Sequence, residues 1–443
     1  MLEETPPGWS EGGRARVLTP PGSAEPYSPA RDLFSWMDEQ FRLHGDIFKA
    51  SIFGVSAYVT RNPEHVQHVL RKNWQNYARG QAIKRIALLL GNGLIVSEGD
   101  FWKRQRRMVQ PAFHRNAMAA LMRDITAANA AMLETWQQAA RDRQTVNVTY
   151  DVSRLVLKVV LQAIFGTDYQ AVAEPFNILS DESSRDMQFA QTFRALRKLV
   201  GAIVAQRRAG GRNGADILGM LIEARDRKTG EGMSDAQVVN EVMTLVVAGH
   251  ETTAITLNWC WYFLAKHPDV EQKISAELGR ISADGAPGME DLAKFTYTRQ
   301  VLEEAMRLYP PLWLMTRKAV GDDRLGDYVV PAGTEIYVPA YFIQRNPALW
   351  DDPNRFDPER FDVTAGPMRH ELAQMPFGAG PRNCVGEPLA RLEMQIHLMT
   401  IVPKLRLRHA ATAMPELEAG VNLRSKHDFI MAPEIKASPS QRA

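Results

Sequence analysis

The sequence predicts a mainly α fold with a minor β portion, and three observations lead there. Helical periodicity dominates from Asp100 to about Leu221. One long helix is predicted between Ser234 and His267, and a second strong one from about Tyr297 to Tyr309, stopped by Pro310 and Pro311. Strand patterns are few and short, in DIFKASIFGVSAYVT (46–60) and around DYVVPAGTEIYVPA (327–340).

Each element has a local reason. The first strand pattern turns at Gly54, and Pro63 then opens a helix in PEHVQHVL. His65 and His68 share one face of that helix, but no third ligand is near, so a surface helix is expected there rather than a metal site. The long helical stretch is broken near Gly166 and again at RRAGGRNGAD (207–216). Ser234 or Asp235 caps the long helix, which closes before Pro268. A proline-rich, irregular passage runs from Asn346 to a cysteine loop, followed by a last helix over LARLEMQIHLMTIV (389–402). The organisation expected is a flexible lead-in over 1–30, one domain over 31–435 and a flexible tail over 436–443.

Composition narrows the function. With 443 residues and 45% of them hydrophobic, the chain can bury a large core, and a formal net charge of +2 speaks against a dedicated nucleic-acid binder. Two cysteines suit a reducing compartment. The first residues contain no apolar run of the signal or anchor type. The longest apolar stretch, Val242 to Ala265, carries His250, Glu251 and Asn258, which favours a buried helix over a membrane span. A cytoplasmic protein without a membrane anchor is the expectation.

The loop FGAGPRNCVG, Phe377 to Gly386, isolates one of the two cysteines. A thiolate needs stabilisation, and a helix starting just after Cys384, with Pro388 in its first turn, supplies backbone N–H groups and a favourable dipole. Gly380 and Gly386 let the backbone approach a flat, bulky partner, and Arg382 adds a cation. These features describe an axial thiolate ligand for haem. With Phe377, Gly380, Arg382, Cys384, Gly386, Ala390 and Glu393 in place, the loop resembles the haem-binding signature of the cytochrome P-450 family, soluble bacterial type.

The resemblance implies the family's fold, with haem b between the long central helix and the cysteine loop, and three further motifs in order. AGHETT puts Ala248, Glu251 and Thr252 at helical spacing, with Gly249 and the threonines able to loosen the ladder. Thr252 as hydroxyl and Glu251 as carboxylate suit proton delivery to dioxygen. The alternative is that Thr252 bonds back to the i−4 carbonyl and Glu251 is merely solvated. His250 is expected to point away and pack or bind backbone. EAMR, Glu304 to Arg307, together with Arg360 of FDPERF, matches a structural carboxylate–guanidinium network. FWKRQRR contains Trp102 and Arg106, which match the family's pair for a haem propionate, with Arg382 and Arg317 joining them. The remaining Lys103, Arg104 and Arg107 suggest a basic face for an acidic electron-transfer partner.

Two departures stand out. Gln344 precedes Arg345-Asn346-Pro347 where relatives often carry histidine, a change expected to matter little. The interval from Asp168 to Arg207-Arg208, where family members place two helices and a loop over the substrate, looks short.

The implied activity is C–H hydroxylation of an apolar lipid, terpenoid or polyketide-like skeleton, free or carrier-bound, with O2 as co-substrate. NAD(P)H would supply electrons through a separate ferredoxin or flavodoxin and its reductase. Pocket candidates are Ile83–Leu90, Thr244–Ala248, Leu312–Met315 and Asp428–Ile430. A peroxide-driven peroxygenase or haem-dependent isomerase would share Cys384 without needing the Glu251–Thr252 pair. A non-enzymatic haem sensor is the alternative from another class.

Overall fold

The long helix between Ser234 and His267 spans Asp235–Lys266. Ser234 is its cap: its hydroxyl accepts from Gln237 N–H while the Gln237 side chain accepts from Ser234 N–H. The structure, a computed structural model, describes residues 18–22, 26–52, 54–180, 187–211, 214–281, 288–366, 370–409 and 414–436. It is mainly helical with small sheets, as the sequence predicts.

The central helix is apolar around most of its circumference, so it is covered on several sides. Trp259, Trp261, Leu257 and Cys260 are all buried, each large side chain contributing about 1.5–3 kcal/mol by leaving water. Helix Val148–Phe165 packs along it, and Gly249 lets the two approach: a Cβ there would lie 3.3 Å from Val160 Cγ2. The central helix stays continuous through AGHETT, so the loosened turn allowed for there is not present.

A five-stranded sheet forms beside the helices. Its order is Ile47–Ile52, Val55–Thr60, Glu335–Val338, Met315–Ala319 and Tyr77–Arg79. The second and third strands are parallel and the other pairs antiparallel, and the register sets Arg79 opposite Arg317. Strand Ile430–Ile435 pairs with Leu405–Arg408 and Val146–Asn147 in a second sheet.

Parts of the lead-in are tied down. Leu18 and Gly22 bridge to Tyr328 and Lys49, and Tyr27 N–H donates to Ser51 O at 2.9 Å. The lead-in expected over 1–30 includes these contacts; residues 1–17, 23–25 and 437–443 lie outside the described residues. His65 is buried rather than on a surface face, sharing a hydrogen bond of 3.1 Å with Thr60 Oγ1, while His68 pairs with Asp323. No cluster that could hold a metal ion occurs among the described residues.

Between Asp168 and Arg207 the chain forms two helices, Tyr169–Phe176 and Met187–Gly210, the first only 8 residues long; residues 181–186 lie outside the described residues. Arg207 fixes the second helix by donating to Asp168, Asp216 and Phe165 O. Arg197 ties the same helix to Leu90 O at 3.0 Å and to Asn240 of the central helix at 2.6 Å.

Candidate active site

The cysteine loop is built by backbone geometry that only glycine tolerates at one point. Gly380 has φ +72°, and a Cβ there would sit 1.9 Å from Leu70 O, so the loop lies directly on the turn at His68–Lys72. Cys384 N–H donates to Phe377 O at 2.8 Å, closing the loop on itself. Helix Glu387–Ile401 begins immediately after it.

The Cys384 side chain is accessible, although protein atoms crowd closely around its sulfur. Burial pushes its thiol up, while the backbone N–H groups of Gly386 and Glu387 and the charge of Arg106 act the other way. The helix start thus supplies the donors that a thiolate ligand requires. Cys260, by contrast, lies in the core with its thiol pushed far up by burial.

Four arginines converge around the loop. Arg106 donates to Asn383 O at 2.7 Å and to its Oδ1 at 3.0 Å, clamping the residue before the cysteine. Arg382 lies over the Trp102 ring, 4.4 Å from its centroid, donates to Ser97 O at 3.0 Å and pairs with Glu98. Arg317 is 6% exposed, with its guanidinium pushed down to about 10 by burial and then by the charge of Arg382. Arg79 stands opposite Arg317 in the sheet, and burial and both neighbouring guanidiniums press its proton affinity well down.

This cluster fits haem. Glu98 is the carboxylate whose charge acts on Arg79, Arg317 and Arg382, and the Nε atoms of Arg79 and Arg382 are buried with no hydrogen-bond partner. Three guanidiniums against one carboxylate leave room for further carboxylates, and the two propionates of haem are of that kind. Arg79 and Glu98 were not visible as site residues in the sequence.

The distal motif is arranged differently. Thr252 Oγ1 donates to Ala248 O at 2.9 Å, the back-bonded alternative. Glu251 is exposed and accepts from Asn422 Nδ2 at 2.8 Å. His250 is buried, shares a hydrogen bond of 2.9 Å with Ser153 Oγ, and is pushed down to about 4 by burial.

The structural network is assembled in full. Arg307 grips Glu304 through two bonds of 2.6 and 2.8 Å, and both side chains are 0% exposed. Glu304 also accepts from Arg360 Nε at 3.1 Å and Asp357 N at 2.9 Å. Gln344 corrects the reading that its identity matters little: it is fully buried, donates to Met306 O and Arg307 O, and accepts from Met375 N at 2.8 Å just before the cysteine loop.

The three cations expected on a basic docking face each have an acidic neighbour. Lys103 pairs with Asp100, Arg104 with Glu231, and Arg107 grips the buried Asp226 with two bonds of 2.9 Å.

A cavity of about 430 Å³ lies beside the central helix. Its walls include Ile86, Leu90, Val247 and Phe429 from three of the four segments expected to line a pocket; Leu312–Met315 is not among them.

Comparison with known proteins identifies the family. Residues 25–203 and 175–430 match the family described as Cytochrome P450. The cyclooctat-9-en-7-ol 5-monooxygenase of Streptomyces melanosporofaciens is 33% identical over 386 residues, covering 82% of this chain and 83% of that protein. The pentalenene oxygenase of Streptomyces avermitilis is 28% identical over 386 residues, covering 82% and 84%. The solved heme domain of cytochrome P450DA superposes with a TM-score of 0.84 over 97% of this chain and 99% of that one, at 24% identity, a likeness of fold. Among the described residues no helix is long and apolar enough to cross a membrane. The chain belongs to the cytochrome P450 family and is an oxidoreductase of the P450 monooxygenase type.

Proposed function

We propose that the chain is a haem-thiolate monooxygenase that inserts one oxygen atom from O2 into a C–H bond of an apolar, terpenoid-type substrate. The observation that carries the reading is Cys384, an accessible cysteine with the Gly386 and Glu387 N–H groups directed at its sulfur. Cys384 would hold the haem iron, and Arg79, Arg317 and Arg382 would hold the propionates, with Trp102 supporting Arg382. Thiolate-bound haem supplies reductive activation of dioxygen and O–O cleavage.

The chain's own residues handle position and protons. Arg106 fixes the loop through Asn383, so the sulfur is held from both sides. Glu251, at the helix surface, takes a proton from water, and Thr252, the next residue, holds a hydroxyl beside Ala248. Electrons come from NAD(P)H through a separate ferredoxin or flavodoxin and its reductase. The alkenol and the alkene in the names of the two Streptomyces relatives support an apolar cyclic skeleton.

The test is a coupled assay. In Thr252→Ala, NAD(P)H consumption should continue while product falls and peroxide accumulates; coupling equal to the parent would defeat the relay. Robust product formation from added peroxide by both proteins, with no need of NAD(P)H, would favour the peroxygenase, which the back-bonded Thr252 hydroxyl also permits.

A further inference from the structure

The helix that begins after Cys384 brings two opposing influences of one residue to the sulfur. Burial acts most strongly on the Cys384 thiol and pushes it up; the N–H groups of Gly386 and Glu387 favour the thiolate, while the charge of the Glu387 carboxylate works against it. A carboxylate in the first turn of a helix is ordinarily favourable, because the helix N-terminus is positive. Beside a thiolate it also needs a cation to offset it.

Arg391, one turn further along the same helix, supplies that cation. Its Nε donates to Glu387 Oε1 at 2.8 Å, at i,i+4 spacing. The same guanidinium reaches the start of the cysteine loop: it lies over the Phe377 ring, 4.8 Å from the centroid, and pairs with Glu303 of helix Thr296–Leu308. Gln374 Nε2 donates to Glu303 Oε2 at 3.0 Å and to Glu303 O at 2.9 Å, so the segment leading to Phe377 is tied to the same carboxylate. Phe377 O in turn accepts from Cys384 N–H. Arg391 thus touches both the entry to the loop and the helix at its exit. Its side chain is 30% exposed, so water screens its charge only in part.

We propose that Arg391 is a positioning residue for the haem thiolate: by holding the Glu387 carboxylate and the Phe377 ring, it offsets the negative charge beside Cys384 and sets the potential at which the haem iron takes up an electron. This role rests on Cys384 being the ligand of the haem iron. Reduction adds one electron to the iron and neither forms nor breaks a bond. Ferric haem carries one more positive charge than ferrous haem, so a nearby carboxylate favours the ferric state and lowers the potential, and a nearby cation raises it.

The test is a spectroelectrochemical titration of the full-length, haem-loaded protein with dye mediators and dithionite, without a protein partner, so that any contact of Arg391 with a partner is silent. Arg391→Leu should lower the potential by the equivalent of about a tenfold fall in the ferrous-to-ferric ratio, or about 59 mV for one electron. Arg391→Lys, which keeps the charge, should lie closer to the parent. Glu387→Gln should move the potential the opposite way, upward, and adding it to Arg391→Leu should recover most of the fall. A purely structural role would not reverse sign between the two substitutions. The proposal is overturned if Arg391→Leu leaves the potential unchanged or raises it, or if Glu387→Gln fails to raise it. Should Arg391→Leu not retain haem, the direction in Glu387→Gln, which leaves Arg391 paired with Glu303, decides alone. The reduced carbon monoxide complex is recorded on the same samples: a parent without the red-shifted band defeats the ligand reading, whereas the band with an unmoved potential in the variants defeats this proposal only.

Discussion

Replacing Glu304 by glutamine should destabilise the protein more than any other single change in the passage leading to Cys384. Glu304 is 0% exposed and accepts four bonds, two from Arg307 and one each from Arg360 and Asp357 N–H. Glutamine keeps the volume but presents an NH2 to a guanidinium and leaves two buried cations without their carboxylate. Breaking a buried pair from one side costs about 3–5 kcal/mol, or roughly two to three and a half orders of magnitude in the folding equilibrium. Arg360→Ala is the internal control. Arg360 is 11% exposed, and its loss leaves Glu304 paired with Arg307, so the cost falls to about 1.5–3 kcal/mol. Urea midpoints and haem retention measured on the same preparations decide the matter. A Glu304→Gln midpoint equal to the parent, or a larger loss in Arg360→Ala, would refute the reasoning.

Two further outcomes follow from local geometry and burial. Gly380→Ala should abolish haem incorporation, since its Cβ would meet Leu70 O at 1.9 Å, whereas Gly54→Ala, also at positive φ but with nothing within 4 Å, should cost only about 1–2 kcal/mol and keep the haem spectrum. His250, pushed down to about 4 by burial, binds its proton in the unfolded chain before it does so in the folded one. Its folded value is lowered, so stability is intact above the unfolded value of about 6.5 and is lost as pH falls toward 4, by about 3 kcal/mol in all. Urea midpoints at pH 7 and pH 5 should differ less in His250→Asn than in the parent; equal differences would contradict the assignment.

The helices were legible in the sequence because their signals are local. Ser234 with Gln237, and Pro268 after His267, bracket the central helix within one turn at each end. The Gly54 turn and the strands on either side of it are equally local. The cysteine loop was legible because its glycines, arginine and cysteine are contiguous. What was missed depends on distant partners. Arg79 acquires meaning only from a sheet register that sets it opposite Arg317. Arg107 reads as part of a basic run until Asp226, 119 positions away, is folded against it. Gln344 resembles a surface polar residue, yet it bridges Met306 and Arg307 to Met375, a junction created by packing.

The central claim is that Cys384 is the thiolate ligand of the haem iron, and the reduced carbon monoxide complex tests it most directly. The parent protein should show the red-shifted absorbance band of a thiolate-ligated haem, and Cys384→Ala should lack that band while Cys260→Ala keeps it. Retention of the band in Cys384→Ala would contradict the account.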